Sequence, residues 1–206
     1  MEEKSINEKE SLELISRMIA TSKNNLRIGQ GNVLMYFGYF TATLSIVIGV
    51  LIGITRNPGW SWCWALMFVF WFFMERLKKN RPATVVTYTD RVISQVWRII
   101  GIMFVITFIV LTVSAFSLHN YGIMNPMMPL SLVYVCLGVS IVGAVVREPY
   151  VTYIPIIGIL FALAMMVSIY LNGMMYFGNI FGFGLSFIVI MAIPGHILNC
   201  KAKKSC

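Results

Sequence analysis

Six long apolar stretches constrain this chain more than any other feature of its sequence. Each is close to the roughly 20 residues that a helix needs to cross the hydrocarbon core of a bilayer. They cover residues 33–54, 58–77, 97–118, 126–146, 149–171 and 174–198. Inside a bilayer every backbone polar group must be hydrogen-bonded within a helix or a closed barrel, and no stretch shows the alternating polarity of barrel strands. The sequence therefore predicts an all-α, polytopic integral membrane bundle of six transmembrane helices.

Charge placement predicts how these helices are oriented. Charged residues make up only 12% of the chain, and the 16 basic ones cluster at the ends of the apolar stretches. Both tails and every even-numbered connection are basic, whereas only Arg56 falls on the opposite side. The positive-inside rule then places both termini in the cytoplasm. The net charge of +8 is interpreted as attraction to membrane lipids with anionic headgroups, and not as attraction to nucleic acid.

Capping residues and prolines predict where helices begin and bend. Asn57 with Pro58 is a favourable cap and first-turn pair for the second stretch, the weakest of the six because it contains Glu75 and Arg76. Pro155 is predicted to bend the fifth helix. Three further boundaries are predicted in the same way: Asn125 and Pro126 open the fourth helix, Asp90 caps a helix that starts at Arg91 after a loop over 80–89, and Pro194 with Gly195 kinks or ends the sixth.

Three parts of the chain are predicted. Residues 1–31 form a cytoplasmic amphipathic helix and a turn that stops at Gly29 or Gly31, residues 32–198 form the transmembrane domain as three hairpins, and residues 199–206 form a basic cytoplasmic tail. The apolar stripe of the first part consists of Leu12, Leu14, Ile15, Met18, Ile19 and Leu26. Such a helix either lies on the membrane as an anchor or docks on the bundle or a partner and regulates it. The first 30 residues are polar and charged, so no cleavable signal peptide is predicted.

Residues typical of catalysis or metal binding are sparse in the apolar stretches. All eight acidic residues lie at the predicted cytoplasmic side or inner boundary, and His119 and His196 lie at opposite ends of the membrane. Intramembrane ionisable residues mark proton relays and catalytic centres, and none is predicted near mid-bilayer. The four cysteines show no CxxC spacing, and no nucleophile with a positioned base is recognisable. We therefore predict no enzyme activity, no metal and no cofactor.

Small residues repeat every four positions on two of the predicted helices. Thr41, Ser45, Gly49 and Gly53 form one stripe, and Gly178 with Gly182 repeats the step on the last helix. Small residues let helix backbones approach closely in membranes. The stripe is either packed inside the bundle or left as a face for a homo-oligomer or another membrane protein.

A second candidate site is a polar pocket at the predicted outer face. It combines amides with an imidazole and a phenol, and its members are His119, Asn120, Asn172, Tyr176 and Asn179. Hydrogen-bonding groups beside aromatic rings suit a small-molecule site. Loop residues that face water have the same composition, so both interpretations stay open.

The segment SLELISRMI at Ser11–Ile19, followed by the glycine-containing turn and YFGYF at Tyr36–Phe40, resembles a family of uncharacterised small bacterial inner-membrane proteins. The resemblance covers mainly residues 11–45 and implies a bacterial cytoplasmic membrane, with no functional residues to carry over. In helix number and inward termini the chain is also similar to the substrate-binding subunits of energy-coupling-factor transporters, which use small residues on their first helix to meet a partner. Two functions follow as expectations: a non-enzymatic scaffold or regulatory membrane partner, and a small-molecule binding or transport subunit.

Overall fold

The computed structural model of this protein describes residue 13 and residues 30–79, 88–173 and 177–204. Every regular element in these ranges is helical, which confirms the all-α prediction for them. In chain order the elements are α1 (Gln30–Thr55), a 3₁₀ helix (Pro58–Ala65), α2 (Leu66–Lys79), α3 (Tyr88–Ser117), a 3₁₀ turn (Tyr121–Met124), α4 (Met127–Val146), α5 (Pro149–Tyr153), α6 (Pro155–Asn172), α7 (Phe177–Phe187), a π-helical turn (Ile188–Ala192) and α8 (Ile193–Lys204).

Five helical segments within the described ranges are long and apolar enough to cross a membrane. They are Gly31–Thr55, Thr89–Ser117, Tyr121–Val146, Pro149–Asn172 and Phe177–Lys201. They correspond to five of the six apolar stretches in the sequence, so the chain has the architecture of a helical membrane protein.

The remaining stretch, 58–77, differs from the others because its first part is a 3₁₀ helix. Asn57 does act as its cap, since its side-chain oxygen accepts a hydrogen bond from the Gly59 amide at 2.8 Å. The segment PGWSWCWA is poor in strong helix formers, and the α-helix begins only at Leu66. With 14 residues, α2 alone is shorter than a membrane crossing requires.

Two predicted capping residues are wrong, although the helices start within one and three residues of the predicted positions. Asn125 ends the 3₁₀ turn instead of capping α4, and Asn120 caps that turn by accepting a hydrogen bond from the Gly122 amide. The third helix already begins at Tyr88, so Asp90 lies inside its first turn and not before it. A carboxylate in the first turn is stabilised by the positive end of the helix dipole, as is one at the cap position. An aspartate therefore marks a helix start from either position.

Prolines interrupt the last two spans. Pro155 separates α5 from α6 because it has no N–H to donate, and the Ile157 amide donates instead to the Ile154 carbonyl at 3.1 Å. Before Pro194 the chain makes a π-helical turn in which the Ile193 amide reaches back to the Ile188 carbonyl. The helix then continues to Lys204, so Pro194 changes the hydrogen-bond register and does not end the helix.

The buried core lies where α1 and α4–α8 pack together, which we call the packed region. Helix α1 lies against α7, the π-helical turn and α8, and α4 lies against α5 and α6. The fully buried side chains of Ile48, Leu132, Met165 and Ile190 fill the space between these helices. In lipid, such packing stabilises a bundle mainly through van der Waals contact, because lipid tails are as apolar as the side chains.

The 3₁₀ helix Pro58–Ala65, α2 and α3 form the loose region. Within an apolar 18-residue window of each span, only 6% of the residues are buried in Thr89–Ser117, against 50% in Phe177–Lys201. Helix α3 packs on α4 along one face, whereas α2 touches its neighbours through large aromatic side chains that keep the backbones apart.

Most of the predicted amphipathic helix and of the loop between α2 and α3 falls outside the described ranges. Of residues 1–31, the structure describes only Glu13, which is helical, and Gln30 with Gly31, which belong to α1. Gly31 is therefore part of the first span and does not stop a preceding helix. The predicted cytoplasmic loop covers residues 80–89. Residues 80–87 lie outside the described ranges, and helix α3 has already begun at residues 88 and 89.

Candidate functional site

A large cleft separates α2 from the rest of the molecule. Its volume is about 3470 Å³, and it is lined mainly by residues of α1, α2, α3 and α4, with others from the two 3₁₀ segments, α7, the π-helical turn and α8. Sites for drug-sized ligands have volumes of roughly 300–1,000 Å³, so this cleft is several times larger. Its side chains come from segments spread between Asn32 and Leu198, and no motif in the sequence indicated it.

Aromatic contacts bridge the cleft and hold α2 in place. Phe70 stacks on Phe40 of α1, with ring centroids 4.0 Å apart and an angle of 6° between planes, and meets Phe37 edge-on at 5.0 Å. On the other side Phe68 contacts both Phe104 and Phe108 of α3 at 5.6 Å. The position of α2 therefore depends on a few ring contacts and not on continuous backbone packing.

The wall of the cleft is apolar in effect, although it contains several hydroxyl groups. Thr41 donates to the Phe37 carbonyl at 2.8 Å, and Ser131 donates to the Met128 carbonyl at 2.7 Å. The hydroxyl of Tyr134 is hydrogen-bonded to Thr107 at 2.9 Å. Because neighbouring groups already satisfy these hydroxyls, the remaining surface of Phe, Trp and Met side chains suits hydrocarbon.

Charged residues line the cleft only at one end. Glu75 and Arg76 lie near the end of α2, and Asp90, Arg91 and Arg98 lie in the first turns of α3. An amphiphilic molecule has a long apolar part and a polar end, so its polarity matches that of a cleft with a long apolar wall and charges at one end.

The predicted stripe on α1 packs against α7 of the same chain. The Ser45 hydroxyl donates to the Ile180 carbonyl, and a Cβ atom on Gly184 would lie 2.7 Å from that of Ser45. Gly49 and Gly53 face the rings of Phe181 and Phe177. Thr41, at the N-terminal end of the stripe, is buried, and its hydroxyl lies 3.6 Å from the Met67 sulfur of α2.

The two glycines of the last span have different surroundings. A Cβ atom on Gly182 would lie 2.5 Å from the Phe161 ring of α6, so Gly182 also serves packing within the chain. Gly178 is exposed.

The closest backbone approach involves glycines that the four-residue spacing missed. A Cβ atom on Gly31 would lie 2.1 Å from the Gly195 carbonyl oxygen, and one on Gly38 would lie 2.9 Å from the Ala192 nitrogen. Gly31, Gly38 and Ser45 recur every seven residues, which keeps them on one face of α1. A seven-residue spacing of small residues therefore marks the face of α1 that contacts α8.

The predicted outer polar pocket is not assembled by the contacts that the structure records. His119 and Asn120 are exposed beside the 3₁₀ turn after α3, whereas Asn172 ends α6 and donates to the Ser168 carbonyl at 2.9 Å. The Asn179 amide nitrogen is buried without a hydrogen-bond partner among the described residues, and Tyr176 lies outside them. No hydrogen bond in the described ranges joins the α3 end to α6 or α7.

Polar side chains meet at the end of the bundle where α8 contacts α1 and α5. Tyr39 and His196 are hydrogen-bonded at 2.9 Å, and the Asn199 amide donates to Asn32 at 2.6 Å. Lys201 forms an ion pair with Glu148. These pairs connect helix ends, and in the described part of the chain no three His, Cys, Asp or Glu side chains converge to hold a metal.

The chain matches no protein-family model, no curated protein and no solved structure.

Proposed function

We propose that this chain is an integral membrane protein that binds an amphiphilic small molecule in the cleft between α2 and the packed region. The observation that carries the proposal is the cleft itself, whose apolar wall and charged end match the two parts of such a ligand. The function is binding or transport of a membrane-soluble molecule, without catalysis. Exposed faces of α2 and α3 support lateral access from the bilayer.

The proposal includes a sixth crossing made by the 3₁₀ helix together with α2. At rises of about 2.0 and 1.5 Å per residue, Pro58–Lys79 extends about 37 Å, which exceeds the roughly 30 Å hydrocarbon thickness. With six crossings, the basic segments lie on one side, so both termini are cytoplasmic in a bacterial cytoplasmic membrane. The bundle is then an even-numbered arrangement of three hairpins.

A scaffold or regulatory membrane partner is the second candidate. Exposure of α3 favours it, because Ile99, Ile109 and Val113 are each more than half exposed and lie outside the cleft. A homo-oligomer or another membrane protein would cover this face. The small-residue stripe on α1 supports this candidate less, since α7 of the same chain already occupies it.

Gly101→Phe is the decisive variant for the cleft. Gly101 lines the cleft, and a Cβ atom there would meet no heavy atom within 4 Å, so a phenylalanine fits the chamber without a clash at its first atom. We expect native mass spectrometry of gently extracted protein to detect a bound amphiphile in the original protein and much less in this variant. Replacement of a helical glycine also raises helix propensity, so folding is preserved.

Ala164→Phe is the matched control, because Ala164 is exposed on α6 and does not line the cleft. It adds the same ring to a lipid-facing helix and is expected to leave retention unchanged. Equal retention by both variants would contradict the cleft as the binding site. A ligand-free protein that co-purifies with a second membrane protein would support the scaffold instead.

A further inference from the structure

Three arginines border the charged end of the cleft, and two of them, Arg76 and Arg98, lie at similar depth. Phe68 contacts Phe104 and Phe108, so the antiparallel α2 and α3 are in register at that level. About two turns further along α2, Arg76 is then level with Arg98. Arg91 lies two turns before Arg98 on α3, and all three line the cleft.

Few groups in the described residues neutralise these arginines. The guanidinium of Arg76 lies 5.0 Å from the centroid of the Phe72 ring, and no ion pair in the described ranges involves Arg91 or Arg98. The carboxylates of Glu75 and Asp90 line the same end, and Asp90 has a contact of its own. Three arginines and two carboxylates therefore line this end of the cleft, which leaves one excess positive charge beside the apolar wall.

Neutral polar groups extend the charged end toward the apolar wall. Ser94 and Gln95 line the cleft between Arg91 and Arg98. Guanidinium groups bind phosphate through paired hydrogen bonds, and hydroxyl and amide groups bind glycerol or sugar oxygens. Below them Trp97, Phe104 and Phe108 continue the wall into the membrane.

We infer that the occupant of the cleft is an anionic phospholipid. Its phosphate binds at Arg76, Arg91 and Arg98, and its acyl chains lie along the aromatic and methionine side chains between α2 and α4. The inference rests on the proposed function and names the ligand class of that site. The size of the chamber favours two acyl chains over a compact metabolite, and its exposure favours entry from the bilayer.

The test measures lipid retention by the full chain in nanodiscs of equal phosphatidylglycerol and phosphatidylcholine, followed by native mass spectrometry. We expect phosphatidylglycerol to be retained in preference. A hydrogen bond from a guanidinium to a phosphate contributes about tenfold in affinity, so Arg98→Gln is expected to lower the preference about tenfold and Arg76→Gln with Arg98→Gln further. Arg98→Lys keeps the charge but not the paired hydrogen bonds, and is expected to retain an intermediate preference.

Arg147→Gln is the matched control. Arg147 is exposed at the end of α4 and lies outside the cleft, so its loss removes one charge without touching the site. Its preference for phosphatidylglycerol is expected to equal that of the original protein. An equal decrease in Arg147→Gln and Arg98→Gln would show general surface attraction and overturn the inference.

The remaining outcomes separate the inference from the proposed function. Equal retention of both lipids, still abolished by Gly101→Phe, would overturn the anionic headgroup while the cleft stays a binding site. Retention insensitive to Gly101→Phe would overturn both. A co-purifying peptide in place of lipid would also overturn the inference.

Discussion

The packed and loose regions are both built mainly from apolar helices but are held together differently. In the packed region, glycines and a serine bring α1 to van der Waals distance from α7 and α8. In the loose region, phenylalanines and tryptophans stand between α2 and its neighbours. Both are compatible with lipid, yet only the second leaves a chamber. Residue size at the contact thus distinguishes the closely packed helices of this chain from those that border the cleft.

The largest expected effect is the loss of a buried core side chain. Ile190 is fully buried, so Ile190→Ala removes contacts that cannot be replaced and is expected to lower the free energy of unfolding by about 2–5 kcal/mol. Ile109→Ala on the half-exposed face of α3 is the matched change and is expected to have an effect within about 0.5 kcal/mol. Denaturant titration in mixed micelles measures both. Similar losses would mean that α3 is covered as tightly as the core.

Glycine substitutions test whether close backbone approach is confined to the packed region. Gly31→Ala introduces a Cβ atom 2.1 Å from the Gly195 carbonyl oxygen, and the resulting displacement of α1 from α8 is expected to cost about 1–3 kcal/mol. Gly101→Ala makes the same change in open space and is expected to be neutral or to stabilise by up to about 1 kcal/mol. Thermal unfolding in detergent distinguishes them, and a destabilised Gly101→Ala would rule out an open cleft.

A third prediction concerns the attachment of α2. Phe70→Leu keeps an apolar side chain but removes the stacked contact with Phe40 and the edge contact with Phe37, each worth about 0.5–1.5 kcal/mol. We expect faster amide hydrogen exchange in α2 with little change in α7. Phe73→Leu is the control, because Phe73 is more than half exposed and makes no ring contact among the described residues. Unchanged exchange in Phe70→Leu would show that α2 is held by other contacts.

Much of the candidate site could not be predicted from the sequence. The polar pocket was predicted from composition, yet Asn120 caps a local turn and Asn172 bonds to its own helix. The sequence indicates that the stripe on α1 consists of small residues. Which helix covers it follows only from the packing of α1 on α7. Arg76 and Arg98 were read as orientation signals because they flank apolar stretches, and their common depth in one cleft follows only from the register of α2 against α3.

The sequence by itself determined the class of the protein, the five long spans, the interruption at Pro155 and the cap at Asn57. These properties are local: hydropathy adds along a segment, and a proline or a cap acts on its own turn. Only the tertiary structure decided that the small-residue stripe lies inside the chain, that Gly31 meets Gly195 and that α2 stands away from α1 and α4. Each of these depends on distances between residues remote in sequence, and pairwise packing is not encoded by any one segment.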